Sequence, residues 1–182
     1  MKKVILVAGH DFIKRGCYTT IDGVGRVDEY DLTTRIVTEL FREEELKNLD
    51  VIVKGRNTYG NLPKEINGLN GDVIICCHYN AFDGKTQGTE VLYAASSTRG
   101  KVLAQKAQDI LVKHLDFPSR GIKPVSTGER GAYVLTKTKA VAILPEPFFL
   151  DCIRDSGELE MTYRKGKAAM SELLTWIANN DF

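Results

Sequence analysis

Three apolar runs in this chain each end on a residue that can do chemistry. Val4-Ile-Leu-Val-Ala-Gly-His10 ends in a histidine, and so does Asp72-Val-Ile-Ile-Cys-Cys-His78. Ala140-Val-Ala-Ile-Leu-Pro-Glu146 ends in a carboxylate. A fourth titratable group, Glu29, stands in the first turn of a helical pattern. A catalytic zinc commonly takes three protein ligands from His and Asp/Glu and keeps a fourth position for water. His10, Glu29 and His78 supply such a set, for one zinc ion per chain. Glu146 would then be the base that takes a proton from the water, whose pKa the metal lowers to roughly 7. Asn80, two residues past His78, is a candidate to orient a ligand from behind.

These residues lie far apart in sequence, so strands must gather them. In an open α/β sheet, sites form at the carboxyl ends of the strands, where a side chain reaches a ligand while its strand stays fixed. Strands are expected over Lys3–Ala8, Asp50–Lys54, 72–77, Gly88–Ala94 and Val141–Leu144. A helix is expected from Asp28 to Lys47, where Leu32, Ile36, Val37, Leu40 and Phe41 recur at helical spacing. Its first turn holds Asp28, Glu29 and Asp31, where the helix dipole favours acids. A second helix is expected over Thr98–Leu115, capped by Ser96 or Ser97, and a last one from Ser156 or Glu158 to Ala178. A short helix fits Pro63–Leu69. Residues 11–27 read as a long loop on the site side, and loops of that length are usually functional. Residues 117–131 read as a loop or a pair of short strands, and Ala132–Leu135 as a strand. The fold class is α/β: a single domain over residues 1–182, with a mostly parallel or mixed twisted sheet flanked by helices.

Composition narrows the function classes. The chain has 182 residues, 43% hydrophobic and 27% charged, which suits a globular domain with a full core. The formal net charge is +1, with no block of Lys and Arg, so nothing points to nucleic acid. No run approaches the roughly 18 apolar residues of a membrane span. The four cysteines, Cys17, Cys76, Cys77 and Cys152, show no C-x-x-C spacing, which argues against a cysteine zinc site. They are expected to be reduced and mostly buried. Cys76 and Cys77 should point to opposite faces of their strand. His114, late in a helix, suits the helix dipole and is given no function.

The ordered set Ala-Gly-His10, Glu29 opening a helix, Cys-His78-Tyr-Asn-Ala81, Gly88-Thr-Glu-Val-Leu-Tyr93 and Ala142-Ile-Leu-Pro-Glu146-Pro-Phe-Phe-Leu150 resembles the zinc-dependent N-acetylmuramoyl-L-alanine amidases of bacterial cell-wall turnover and phage lysis. The resemblance covers nearly the whole chain. It implies zinc held by His10, Glu29 and His78, with Glu146 catalytic. It implies cleavage of the amide between muramic acid and the L-Ala of the stem peptide in peptidoglycan. The partners would be that stem peptide and glycan, with Arg120 and Arg130 as candidates for contacting stem-peptide carboxylates. There are departures: Val7 stands where an acidic residue often precedes the motif, Asp11 and Phe12 where Gly-Gly often follows, Cys77 where a Ser is frequent, and Cys152 where an Asn is frequent.

No wall-binding module is visible in the sequence, and the basic N-terminus leads straight into the first strand without a signal-peptide h-region. The expectation is synthesis in the cytoplasm and action on the wall after release by a holin or cell lysis, as for an endolysin. Two other readings stand beside this one: a zinc peptidase or carboxypeptidase acting on ordinary peptides, and a non-catalytic wall-binding domain that keeps the fold.

Overall fold

The computed structural model describes residues 1–182. Eight strands and five α-helices follow one another in the order β1 (Lys2–Ala8), β2 (Tyr18–Ile21), β3 (Gly25–Asp28), α1 (Glu29–Phe41), β4 (Leu49–Lys54), α2 (Leu62–Gly68), β5 (Val73–Cys77), β6 (Thr89–Ala94), α3 (Thr98–Leu115), β7 (Ser119–Val125), α4 (Ala132–Lys137), β8 (Val141–Glu146) and α5 (Ser156–Asn179). Six strands form one sheet in the order β4-β1-β5-β8-β6-β7, and β2 and β3 form a separate hairpin. The pairs β4–β1, β1–β5 and β5–β8 are parallel, while β8–β6 is antiparallel and β6–β7 parallel. The sheet is therefore mixed, with β6 and β7 running against the other four.

Strand alternation divides the apolar residues between two cores. Val4, Leu6 and Ala8, with Val73, Ile75 and Cys77, face a large core under α1, α3 and α5. Ile5 and Val7, with Ile74 and Cys76, face a smaller core under the short helices α2 and α4. Cys76 and Cys77 thus point to opposite faces, and all four cysteines are free. The near-continuous apolar runs of β1, β5 and β8 are what strands covered on both faces require. No helix is long and apolar enough to cross a membrane.

Four elements differ from the sequence expectation. α1 stops at Phe41, and a 3₁₀ turn follows over Glu44–Leu46. The three consecutive acids Glu43, Glu44 and Glu45 would face the negative end of the helix dipole, which disfavours extending the α-helix to Lys47. The long loop at 11–27 contains the β2–β3 hairpin, with Asp22-Gly23 at its tip and Gly23 at φ 75°. The segment 117–131 contributes one edge strand, β7, which accommodates Pro124 as edge strands do. Ala132–Leu135 is helical, forming the start of α4. Four apolar residues carry no periodicity that separates the two states. Here Thr136 and Thr138 close the helix by donating their hydroxyls to the carbonyls of Ala132 and Val134.

α1 is braced against α5 by Arg35, which pairs with Glu160 at 2.8 Å. Hydrogen bonds from Arg35 and Arg164 hold the Glu160 carboxyl down at about 2, against an ordinary 4.5. A depressed folded-state pKa contributes stability that is fully present above pH 4.5 and is lost as the pH falls toward 2. Glu160→Gln is expected to lower stability at neutral pH by no more than about 1 kcal/mol, since the pair is solvent-exposed. It should also flatten the loss of stability between pH 4.5 and 2. Urea midpoints measured across that range, which would show the same slope in both proteins if the brace contributed nothing, check this.

Candidate active site

β1, β5 and β8 are parallel neighbours, so their carboxyl ends share one edge of the sheet, and His10, His78 and Glu146 arrive there together. The fourth residue comes from the N-terminus of α1. Glu29 is 3% exposed, a carboxylate deep in the fold. Its Oε2 lies 2.9 Å from Nε2 of His10, and its Oε1 lies 2.8 Å from Nδ1 of His78. Each oxygen also accepts a backbone N–H at 3.0 Å, Oε2 from Cys17 and Oε1 from Tyr79. Burial opposes the charge, but the hydrogen bonds from His10 and His78 outweigh it, so Glu29 stays ionised far below the usual carboxylate range. The two imidazole rings meet edge to face, 4.9 Å between centroids.

The local backbone is shaped to make this convergence possible. His10 has φ 66°, a left-handed conformation that non-glycine residues adopt at a cost and that here turns the ring back toward Glu29. Gly9 permits close packing, because a Cβ there would lie 2.6 Å from the Cys77 carbonyl and 2.9 Å from the His78 ring. The Gly9 amide bonds the Cys77 carbonyl at 3.0 Å, and the Thr33 hydroxyl, one turn along α1 from Glu29, donates to the Gly9 carbonyl at 3.0 Å. No side chain caps α1. The carbonyls of Cys17 and Arg15 accept instead from the Glu29 and Tyr30 amides, at 2.9 and 3.0 Å. The strap Arg15-Gly16-Cys17 therefore caps the helix that carries Glu29 and donates a hydrogen bond to its carboxylate.

His10, Glu29 and His78 each offer one ligand atom, and these atoms lie within 4.8 Å of one another. Two imidazole nitrogens and a carboxylate held ionised form a donor set suited to zinc, with a coordination position left over. Glu146 lines the same cleft, and its buried Oε2 has no hydrogen-bond partner. Burial, with the Glu29 and Glu90 carboxylates nearby, pushes its pKa well above the usual range, and Arg130 opposes the rise. The cleft has a volume of about 500 Å³. Its floor is apolar, from Val7, Leu62, Leu92, Val134 and Leu144.

Asn80, Arg120 and Arg130 also line the cleft. Asn80 Nδ2 donates to Glu90 Oε1 at 2.7 Å, so this side chain supports Glu90 rather than one of the three metal-ligand candidates. Its backbone ties β5 to the segment after β8, through Asn80 N to the Phe148 carbonyl and Leu150 N to the Asn80 carbonyl. Arg120 donates to Glu90 Oε2 at 2.9 Å. The sequence reading gave no role to Glu90, Lys123, Arg56 or Asp11. Glu90 is paired in register with Glu146, which places it beside the site because β6 runs antiparallel to β8. Its signal was present in Gly88-Thr-Glu-Val, where a charged residue interrupts an apolar strand at its start. Arg56 reaches the cleft from the loop after β4 and pairs with Asp11 at 2.9 Å.

A mixed α/β sheet with a His-Glu-His cluster and a nearby carboxyl at one edge is the framework of a metal-dependent hydrolase. A family model described as N-acetylmuramoyl-L-alanine amidase matches residues 4–173, and the chain belongs to that family. Zinc dependence is general within it. An uncharacterized cell wall amidase of Bacillus anthracis is 28% identical over 126 residues, which are 63% of this chain and 23% of the relative. The chain thus spans about a quarter of that relative's length. Among solved structures, the catalytic domain of CwlV, an N-acetylmuramoyl-L-alanine amidase from Bacillus (Paenibacillus) polymyxa var. colistinus, superposes with a TM-score of 0.79 at 18% identity, covering 100% of both chains. An N-acetylmuramoyl-L-alanine amidase from Clostridium difficile 630 gives 0.78 at 22% identity, covering 99% of this chain and 98% of that one. At these identities the likenesses establish the fold.

The strap at 15–17 leads to a test. A Cβ on Gly16 would lie 2.6 Å from Cδ2 of His10 and closer still to Oε2 of Glu29, and Gly16 is at φ 81°. Gly16→Ala is therefore expected to weaken zinc retention by about 10- to 100-fold, the usual effect of disturbing what orients a ligand. Competition with a chromophoric chelator measures this, and far-UV circular dichroism checks that the fold survives. Unchanged retention would show that the strap does not set the geometry of Glu29.

Proposed function

We propose that this chain hydrolyses the amide between the lactyl group of N-acetylmuramic acid and the L-Ala of the stem peptide in peptidoglycan. In this reading His10, Glu29 and His78 hold a zinc ion, Glu146 is catalytic, and residues 1–182 act as one catalytic domain on the cell wall. When bound there, zinc supplies a Lewis acid that polarises a carbonyl and eases the deprotonation of water.

The observation that carries the reading is Glu146. It shares the cleft with the His-Glu-His cluster, and its buried Oε2 is left without a partner. A buried carboxyl with no internal partner is costly unless something arriving in the site satisfies it. Glu146 takes a proton from the attacking water and returns it to the departing L-Ala nitrogen. A carboxyl whose environment pushes its pKa upward is suited to holding that proton between the two steps. Asn80 and Arg120 hold Glu90 beside it. Arg120 and Arg130 line the same cleft, where they could meet the carboxylates of a bound stem peptide.

Glu146→Gln is expected to retain zinc and to lose turnover by about 10²- to 10⁴-fold, the usual contribution of a general acid–base group. Metal analysis together with release of new N-terminal alanine from purified wall measures both properties. Wall cleavage at the wild-type rate by this variant would remove Glu146 from the mechanism. Release of amino termini from ordinary peptides, with none from the wall, would favour the peptidase reading.

A further inference from the structure

Four cations line the cleft: Arg56, Arg120, Lys123 and Arg130. Two of them are compensated within the protein. Arg56, only 9% exposed at its side chain, pairs with Asp11 at 2.9 Å. Arg120 donates its Nε to Glu90 at 2.9 Å. Lys123 and Arg130 are exposed, and neither is joined to another side chain by an ion pair or a hydrogen bond.

These two residues flank one apolar side chain. Lys123 on β7 pairs in register with Leu92 on β6. Arg130 directly precedes Gly131, whose Cα packs so closely on Leu92 that a Cβ there would lie 2.8 Å from Leu92 Cδ2. Gly131, at φ 78°, turns the chain into α4 over that contact. Leu92 belongs to the apolar floor. The arrangement is an apolar seat between two free cations, in the cleft that also holds the metal-ligand candidates and Glu146. Its complement is a short aliphatic segment bearing a carboxylate.

Resting on the amidase reading above, we propose that Lys123 and Arg130 form a carboxylate subsite that selects stem peptides by their free acid groups. Cleavage next to L-Ala places the residues after it in the cleft. Two of them can present the required anion. The second, a γ-linked D-glutamate, keeps its α-carboxylate free unless it is amidated to D-isoglutamine. The third carries a side-chain carboxylate when it is diaminopimelate and an ammonium group when it is lysine. The shared chemistry is a carboxylate beside methylene groups, held by charge-assisted hydrogen bonds.

Kinetics on four synthetic N-acetylmuramoyl tripeptides separate the two sources. The peptides combine D-Glu or D-isoGln at the second position with diaminopimelate or lysine at the third. The zinc-loaded wild-type chain is expected to favour the free acid at one of these positions by about five- to tenfold in kcat/KM, mostly through KM, as for an ion pair only partly shielded from water. The Lys123→Gln/Arg130→Gln double variant should lose that preference, and Lys123→Arg should keep it. Arg130 also bears on Glu146, so the single Lys123→Gln variant, read as a KM effect with kcat preserved, isolates the subsite. Equal rates on all four substrates, or an unchanged preference in the double variant, would overturn the proposal. Calorimetric binding of the free tripeptide L-Ala-γ-D-Glu-diaminopimelate judges the subsite without turnover. If no substrate were cleaved but the double variant still lost tripeptide affinity, the amidase reading would fail and the subsite would stand. If cleavage occurred and affinity did not change, the subsite alone would fail.

Discussion

The structure turns on a buried negative charge. Ionised carboxylates are costly to take out of water, and proteins keep them inside only with partners in place. Glu29 has four: the imidazoles of His10 and His78 and the amides of Cys17 and Tyr79. Those partners come from three segments, namely the turn after β1, the strap before the hairpin, and the residue pair His78-Tyr79 leading out of β5. Any of them displaced would leave the charge exposed to an apolar surrounding. The same contacts that make Glu29 tolerable therefore fix the relative positions of β1, β5 and α1 at the edge where the chemistry is proposed to happen.

The two sides of the sheet are covered unequally, and this gives the site its room. Three long helices seal one face over the larger core. The other face carries only α2 and α4, each of seven residues or fewer, over a core of 13 buried residues. Those short helices leave room at the strand ends for a cleft, whose floor combines Val7, Leu92 and Leu144 of the strands with Leu62 of α2 and Val134 of α4. Strand residues make up much of the cleft's lining, and the loops after β4 and before α4 add Arg56, Tyr59 and Arg130. Loops can vary while the sheet stays fixed, which is how specificity changes without loss of the catalytic framework.

Much of this was legible in the chain. Strands covered on both faces must be apolar almost throughout, so β1, β5 and β8 stand out as short apolar runs, each with a titratable residue at its end. α3 and α5 show helical spacing because each buries one apolar stripe in the larger core. Other parts were not legible. Ala132–Leu135 has no period of its own, and its helical state follows from Gly131 and the two threonine hydroxyls that close it. α1 ends six residues before the expected Lys47 because of a local electrostatic conflict among consecutive acids.

The sequence by itself determined which residues could bind a metal and move a proton, and that parallel strands would carry three of them to one edge. His10, His78 and Glu146 follow from strand ends alone, because the carboxyl ends of parallel neighbours point the same way. Only the tertiary structure decided what surrounds them. Reversal of β6 and β7 brings Glu90 and Arg120, which lie at the starts of their strands, to the edge formed by the ends of the others. It also decided which cations are spent on internal partners and which stay free, since Arg56 meets Asp11 and Arg120 meets Glu90 across 45 and 30 residues of chain. Strand direction and long-range charge pairing are properties of the assembled sheet, and no local pattern of residues encodes them.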